Sequence, residues 1–421
     1  MISLDNYFKI YPRIVRSNSK TVVTLEPKFS SWHLPEGEYK VTHYSVNYPS
    51  KNEYQSISLK RDGNKFHIEG FFEGEQEHII YIEVGSRTFS FSLYSVEEDL
   101  LYRTPYKGDM HIHTYYSDGI ESPAYVASSS RKIGLDFLSI TDHRRYFPSI
   151  EAIETFKGLD LSFKIFPGEE VHPPNNPLHI VNFGGSFSIN ELFDKEREGY
   201  DREVSEIEEK LKKEIPDIPE RSQLASSIWC FDKIREGGGL GVFAHPFWRV
   251  KEGYYISERL FNLLYDKEPF DAVEIVGGYH MHELVSNNLQ IVSYYERSRG
   301  KSIPVVGVTD AHGCETGSLF GWYYTVVFSP TLELKDIIES IRLGYSVGVE
   351  AIPQREPRVY GSLRLVLFTQ FLIREIFPTH DKICEEEGKF MIRYITGKAD
   401  NKEPGFYKRD LEEFYKLYWQ R

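Results

Sequence analysis

DMHIHTYYSDG at residues 109–119, LSITDHRR at 138–145, FPGEEVHPPNNPLHIVNFG at 166–184, FAHPF at 243–247 and GVTDAHG at 307–313 share one pattern: a short apolar run closed by histidine or a carboxylate. Further apolar runs, AVEIVGG and YYTVVFS among them, alternate with helical stretches over the same region. Strands apolar on both faces and separated by helices predict an α/β fold with parallel strands, and seven or eight runs favour a barrel over an open sheet. In such barrels the strand C-termini converge on one mouth, where ligands and catalytic groups gather.

The residues closing the runs carry the chemistry. His111 and His113 are two apart in what reads as a strand, so both imidazoles leave one face and can reach one ion. Asp142 and His143 end LSIT, Glu169 and Glu170 end FKIFPG, His245 ends GVFA, and Asp310 and His312 end VVGVT. Such groups, if buried, need compensation by partners or by metal. Neutral imidazole is the commonest nitrogen donor for zinc, iron or manganese, and carboxylates bridge ions, so the set predicts a multinuclear metal site.

Outward from this block, residues from about 20 to 98 alternate polar and apolar in short runs (TVVTLEP, KFHIEGFF, HIIYIEVG, TFSFSLYSV), with Asp62-Gly63 as a hairpin signal. The reading is an N-terminal β-sandwich over 1–100, followed by the barrel over 101–350. A charged helical stretch at about 186–228 reads as a lid or surface excursion inserted between two strands, and 351–421 as a C-terminal helical region.

The 421 residues carry a formal net charge of -13, which opposes binding to long nucleic acid because phosphate neutralisation needs a basic surface. No stretch approaches a membrane span, and the N-terminus lacks the apolar block of a secretory signal, so the expected location is the cytoplasm. Three cysteines, Cys230, Cys314 and Cys384, are too few and scattered for a disulfide framework.

The five segments quoted first, in that order, resemble the successive motifs of the polymerase and histidinol phosphatase (PHP) family of metal-dependent phosphoesterases. The resemblance covers roughly residues 105 to 350 and leaves out the sandwich. It implies a distorted (β/α)7 barrel with two or three divalent ions (manganese, zinc or iron) in its mouth. Carried over by motif, it puts His111, His113, Glu170 and Asp310 around a first metal, with Glu170 bridging to a second held by His179 and His245. Asp118, His143 and His312 then hold a third. Glu170 rather than Glu169 fits the family's Gly-x-Glu spacing. His179 is preferred to His172 because it precedes an apolar strand. The long insert after Gly185 and the sandwich depart from smaller family members and leave the substrate open.

A metal lowers the pKa of bound water toward neutrality, so the expected reaction is hydrolysis of a phosphoester by metal-activated hydroxide. Asp142 is expected to orient a ligand or a water from behind the metal shell. Arg144 and Arg249 are candidates for steadying phosphoryl oxygens, since guanidinium matches phosphate in a bidentate way. Tyr115 and Tyr116 can stack on a base or sugar, and His280 and His282 follow AVEIVGG toward the same mouth. The expected partner is a small phosphorylated substrate such as a nucleotide or sugar phosphate, with homo-oligomerisation left open. Two other readings are an amidohydrolase-type barrel, which also opens on His-x-His, and a metal-stabilised binding protein acting through its sandwich.

Overall fold

The computed structural model describes residues 2–29, 32–47, 55–216, 218–315, 319–401 and 405–420. The chain divides into two compact units. One comprises Met1–Thr104, Leu367–His380 and Arg409–Arg421, and the other Pro105–Val366 and Asp381–Lys408. The region after residue 350 is therefore shared between the two units.

In the first unit, one sheet runs in the order Ile2–Ser3, Arg87–Val96, Gln76–Val84, Lys40–Ser45, Gln55–Ser56, with Ile14–Arg16 pairing Arg87–Val96; the other runs Phe8–Tyr11, Ser19–Pro27, Lys65–Phe72, Ser58–Asp62. Strict alternation explains the packing. Every second residue of Gln76–Val84 is buried, and side chains of period two from both sheets meet in one apolar core that includes Phe8, Val23, Phe66, Ile80 and Phe91. Asp62 pairs with Lys65, so the turn centres on Gly63 and Asn64, and Gly63 takes φ +56, which glycine adopts without steric cost. Arg13, 2% exposed, ion-pairs with Asp5 at 2.5 Å and with Glu375 at 2.6 Å, tying the Leu367–His380 segment into this unit.

The second unit is mixed α/β, and a (β/α)7 barrel is not shown. Besides the short hairpin of Arg249–Val250 with Gly253–Tyr254, its strands form two sheets, in the orders Lys164–Phe166, Phe137–Ser139, Thr104–Asp109, Tyr323–Ser329, Ser346–Glu350, Arg358–Tyr360 and Gly168–Val171, Ile180–Phe183, Leu240–Phe243, Ala272–Gly277, Val305–Val308. No closed ring is found among the described residues, and the pairing is mixed. Ile180–Phe183 runs antiparallel to both Gly168–Val171 and Leu240–Phe243. The eight residues 172–179 are too few for the crossover that a parallel pair requires. Residues from both sheets, such as Phe137, Phe166, Val181, Val242 and Val306, share a core with Ile337 and Ile341 of the helix Leu334–Arg342.

The insert forms the helices Ile189–Lys195, Arg197–Glu214 and Arg221–Glu236. The middle helix is charged but not wholly solvated. Tyr200, Val204 and Leu211 are buried, with Tyr200 stacked edge-on against Trp229 at 4.9 Å. Between the two sheets run isolated bridges, Ile112 to Ala311 and His143 to Glu170. Main-chain bonds from His113 N to Ala311 O (2.9 Å), Asp310 N to His111 O (2.8 Å) and Arg144 N to Glu170 O (3.0 Å) reinforce them. The seams thus fall on the residues whose chemistry stood out in sequence.

Candidate metal centre

Glu170 is the hub. On the strand Gly168–Val171 successive side chains face opposite ways, which separates the two glutamates. Glu169 turns into the protein and accepts bonds from Asn182 Nδ2 (3.2 Å), Ser188 Oγ (2.7 Å), Ile189 N (2.5 Å) and Asn190 Nδ2 (2.8 Å). Glu170 turns toward six imidazoles. Its Oε1 lies 2.7 Å from His179 Nδ1 and 3.3 Å from His245 Nε2. Its Oε2 lies 3.5 Å from His111 Nε2, 3.6 Å from His113 Nε2 and 3.5 Å from His172 Nε2, and touches His143 Nδ1. Gly168 makes the approach possible, because a Cβ there would sit 2.1 Å from Ser139 Oγ.

Around this hub, Asp310 Oδ1 is 3.3 Å from His111 Nε2 and 2.8 Å from His113 Nε2. Asp118, exposed on its loop, lies 3.4 Å from His143 Nε2 and 3.2 Å from His312 Nε2. The nine residues assigned to metal by resemblance are brought together, and His172 joins them. The strand Thr104–Asp109 ends before His111, so the two histidines converge through the loop and its bridges. His245 and Asp310 take φ 21 and φ 52, left-handed values that cost about 1–3 kcal/mol each and persist only where surroundings enforce them.

Two carboxylates that the sequence reading did not single out do that enforcing. Glu274, 1% exposed on the strand Ala272–Gly277, accepts from His111 Nδ1 at 2.8 Å and from His245 N at 2.7 Å. Asp109 accepts from Thr309 Oγ1 (2.5 Å), Thr309 N (3.2 Å) and His111 N (3.2 Å), clamping two motif loops together. Burial pushes the Asp109 carboxyl up to about 7. The available signal was an acid inside or beside an otherwise apolar run.

Asp142 is buried behind the loop that bears Asp118. Its carboxylate accepts from Thr114 N (2.9 Å), Thr114 Oγ1 (2.7 Å), Ser117 N (3.1 Å) and Ser117 Oγ (2.6 Å), so it folds the loop that presents Asp118. Arg144 and Arg249 are exposed, and neither belongs to the described lining of the cavity at the mouth. That cavity, about 150 Å³, is walled by Asp118, His143, His179, His245, Asp310 and His312 together with Trp248, His280 and Glu283. His282 stacks on His280 at 5.7 Å. Tyr115 is exposed, and the Tyr116 hydroxyl donates to Glu151 at 2.6 Å.

The electrostatics are those of a cluster short of positive charge. Burial pulls protons off His111, yet Asp310, Glu274 and Glu170 outweigh it and hold the imidazole well above its usual range. His143 is likewise lowered by burial but carried up to about 10 by Glu170 and Asp118. Burial dominates at His179, which falls to about 4. Burial also opposes ionisation of Glu170 and Asp310, but the surrounding imidazoles keep both carboxyls below the ordinary range. His111 Nε2, Glu170 Oε2 and His179 Nδ1 are buried without a hydrogen bond, which native proteins rarely tolerate. Divalent cations on either side of Glu170 would satisfy these atoms, and the nitrogen and oxygen donor set fits zinc, iron or manganese.

No family model matches the chain. An uncharacterized protein of Methanocaldococcus jannaschii is 26% identical over 192 residues, covering 43% of this chain and 87% of that protein. Among solved structures, a two-domain protein of Bacteroides vulgatus containing a predicted PHP-like metal-dependent phosphoesterase aligns with TM-score 0.43 and 16% identity, over 65% of this chain and 71% of that one. An amidohydrolase of Chromobacterium violaceum aligns with TM-score 0.33 and 17% identity, over 49% and 87%. At these TM-scores neither likeness bears on the reaction. The solved structures to which the chain is similar thus include a predicted PHP-like metal-dependent phosphoesterase.

Proposed function

We propose that this protein is a metal-dependent hydrolase acting on a phosphoester, with Glu170 at the centre of a two- or three-cation site. The observation that carries the proposal is Glu170 itself: both oxygens are buried among six imidazoles, flanked by Asp310 and Asp118. His111, His113, Glu170 and Asp310 would hold one cation, Glu170, His179 and His245 a second, and Asp118, His143 and His312 a third. Bound there, divalent cations act as Lewis acids and lower the pKa of water.

The protein's own groups prepare this chemistry. Glu274 keeps the His111 hydrogen on Nδ1 (2.8 Å), leaving the Nε2 lone pair toward Glu170 and Asp310. Asp142 holds the Asp118 loop closed, and Trp248, 5.7 Å from His179, covers one side of the imidazole cluster. The phosphoryl group of a small phosphorylated substrate, such as a nucleotide or sugar phosphate, would enter the cavity lined by Asp118, His143 and His312. The charge of -13 disfavours long polyanions.

The test is hydrolysis by the manganese-loaded full chain of nitrophenyl phosphates, nucleotides and sugar phosphates, run beside cyclic amides. Turnover of phosphoesters alone is expected. Turnover of amides alone would refute the phosphoester reading.

A further inference from the structure

His172 belongs to none of the three ligand groups, yet it is built into the centre. Its main-chain N–H donates to Asn190 Oδ1 at 3.1 Å, and Asn190 Nδ2 in turn donates to Glu169 Oε2 (2.8 Å) and Glu170 O (3.1 Å). Its ring stacks on His179 with centroids 4.0 Å apart and planes at 20°. Its Nε2 lies 3.0 Å from His143 Nδ1. These contacts hold the ring in one orientation against His143.

His143 presents Nε2 toward Asp118 (3.4 Å) and Nδ1 toward Glu170 and His172. A histidine that ligates through one nitrogen carries its hydrogen on the other and donates it to a partner, which fixes tautomer and ring orientation. For Nε2 to offer a lone pair beside Asp118 and His312, the hydrogen must sit on Nδ1. Two acceptors are in reach. Glu170 Oε2 is contested by four imidazoles, and an oxygen engaged with a cation has little capacity left for a hydrogen bond. We propose that His172 is a positioning residue whose Nε2 accepts the Nδ1 hydrogen of His143 and thereby sets His143 as a ligand of the cation shared with Asp118 and His312. This rests on the metal-binding part of the proposed function and is independent of the substrate.

The experiment titrates the metal-depleted full chain with cobalt(II), read by visible absorption and by bound-metal analysis, in the wild type, His172→Leu and His172→Gln. Leucine removes the acceptor, and glutamine keeps an oxygen that can accept. His172→Leu is expected to weaken the cation shared by Asp118, His143 and His312 by about 10–100-fold, with the other cations unchanged, and His172→Gln to recover most of that loss. Thermal unfolding of both variants identifies misfolding, in which case His172→Gln alone decides. Wild-type affinity in His172→Leu, or an equal loss in His172→Gln, would overturn the proposal, as would a wild-type chain that binds no cation through His143. Cation binding without phosphoester turnover counts against the proposed activity and leaves the role of His172 in place.

Discussion

Replacing Glu274 by glutamine tests whether the centre depends on a buried carboxylate outside the ligand set. Glutamine is nearly isosteric, so the change removes a charge and one acceptor with little effect on packing. In the native protein Oε1 accepts from His111 Nδ1 at 2.8 Å and Oε2 from His245 N at 2.7 Å. An amide can accept only one of these two bonds and must turn an NH2 toward the other donor. Charge-assisted hydrogen bonds contribute about 1.5–3 kcal/mol, and loss of an outer partner to a ligating histidine costs about 10–100-fold in metal affinity. Glu274→Gln is therefore expected to weaken the cation held by His111 by about 1.4–2.8 kcal/mol. If the amide oxygen instead stays with His111, the strained His245 backbone, φ 21, loses its anchor and the cation bound by His245 weakens in its place. Manganese affinity measured by competition with a chromophoric chelator, with thermal unfolding as the control for folding, reads the effect. Affinity within a factor of about three of wild type would refute the reasoning.

Asp142→Asn is expected to loosen the loop bearing Asp118, which depends on four donors to that carboxylate; the loss should fall on the cation at Asp118 and leave the others in place, read by bound-metal stoichiometry. The Arg131 guanidinium is fully buried and pairs with Glu387 (2.5 Å) and Asp136 (3.0 Å), so Arg131→Met should destabilise the protein by about 3–5 kcal/mol in denaturant unfolding, since two buried carboxylates lose their partner. In the first unit, burial holds His43 at about 4 and His78 at about 3. The unfolded chain takes up these protons first, so stability is present above about pH 6.5 and is lost as pH falls toward the folded values. The loss at pH 5 is about 2 kcal/mol per imidazole. Unfolding midpoints at pH 7 and pH 5 should show a smaller drop in the His43→Asn/His78→Gln variant than in wild type; an equal drop contradicts the assignment.

Much of the centre was legible because ligand chemistry is local: a histidine or acid closing an apolar run stands out whatever the run pairs with. The pairing itself was not legible. When both faces of a strand are buried, an apolar run reads the same in a parallel or an antiparallel sheet, so Ile180–Phe183 gave no sign that it reverses against both its neighbours. The supporting groups were obscure for another reason. Glu274 is one acid within AVEIVGG, and its value lies in reaching His111 and His245 from a distant part of the chain. His172 and His179 were weighed as alternatives, whereas the structure stacks them side by side. Arg144 and Arg249, chosen for proximity in sequence, lie outside the described cavity lining because loop position does not determine side-chain direction.

The central claim is that Glu170 organises a multinuclear metal site that hydrolyses phosphoesters. Its most direct test is the number of divalent ions bound per chain in the wild type and in Glu170→Gln, measured on the same samples whose phosphoester turnover is followed. The account predicts two or three ions in the wild type, loss of at least the ion shared by His179 and His245 in Glu170→Gln, and turnover abolished with it. A wild-type chain that binds no divalent ion, or a variant that keeps its full complement and its activity, would contradict it.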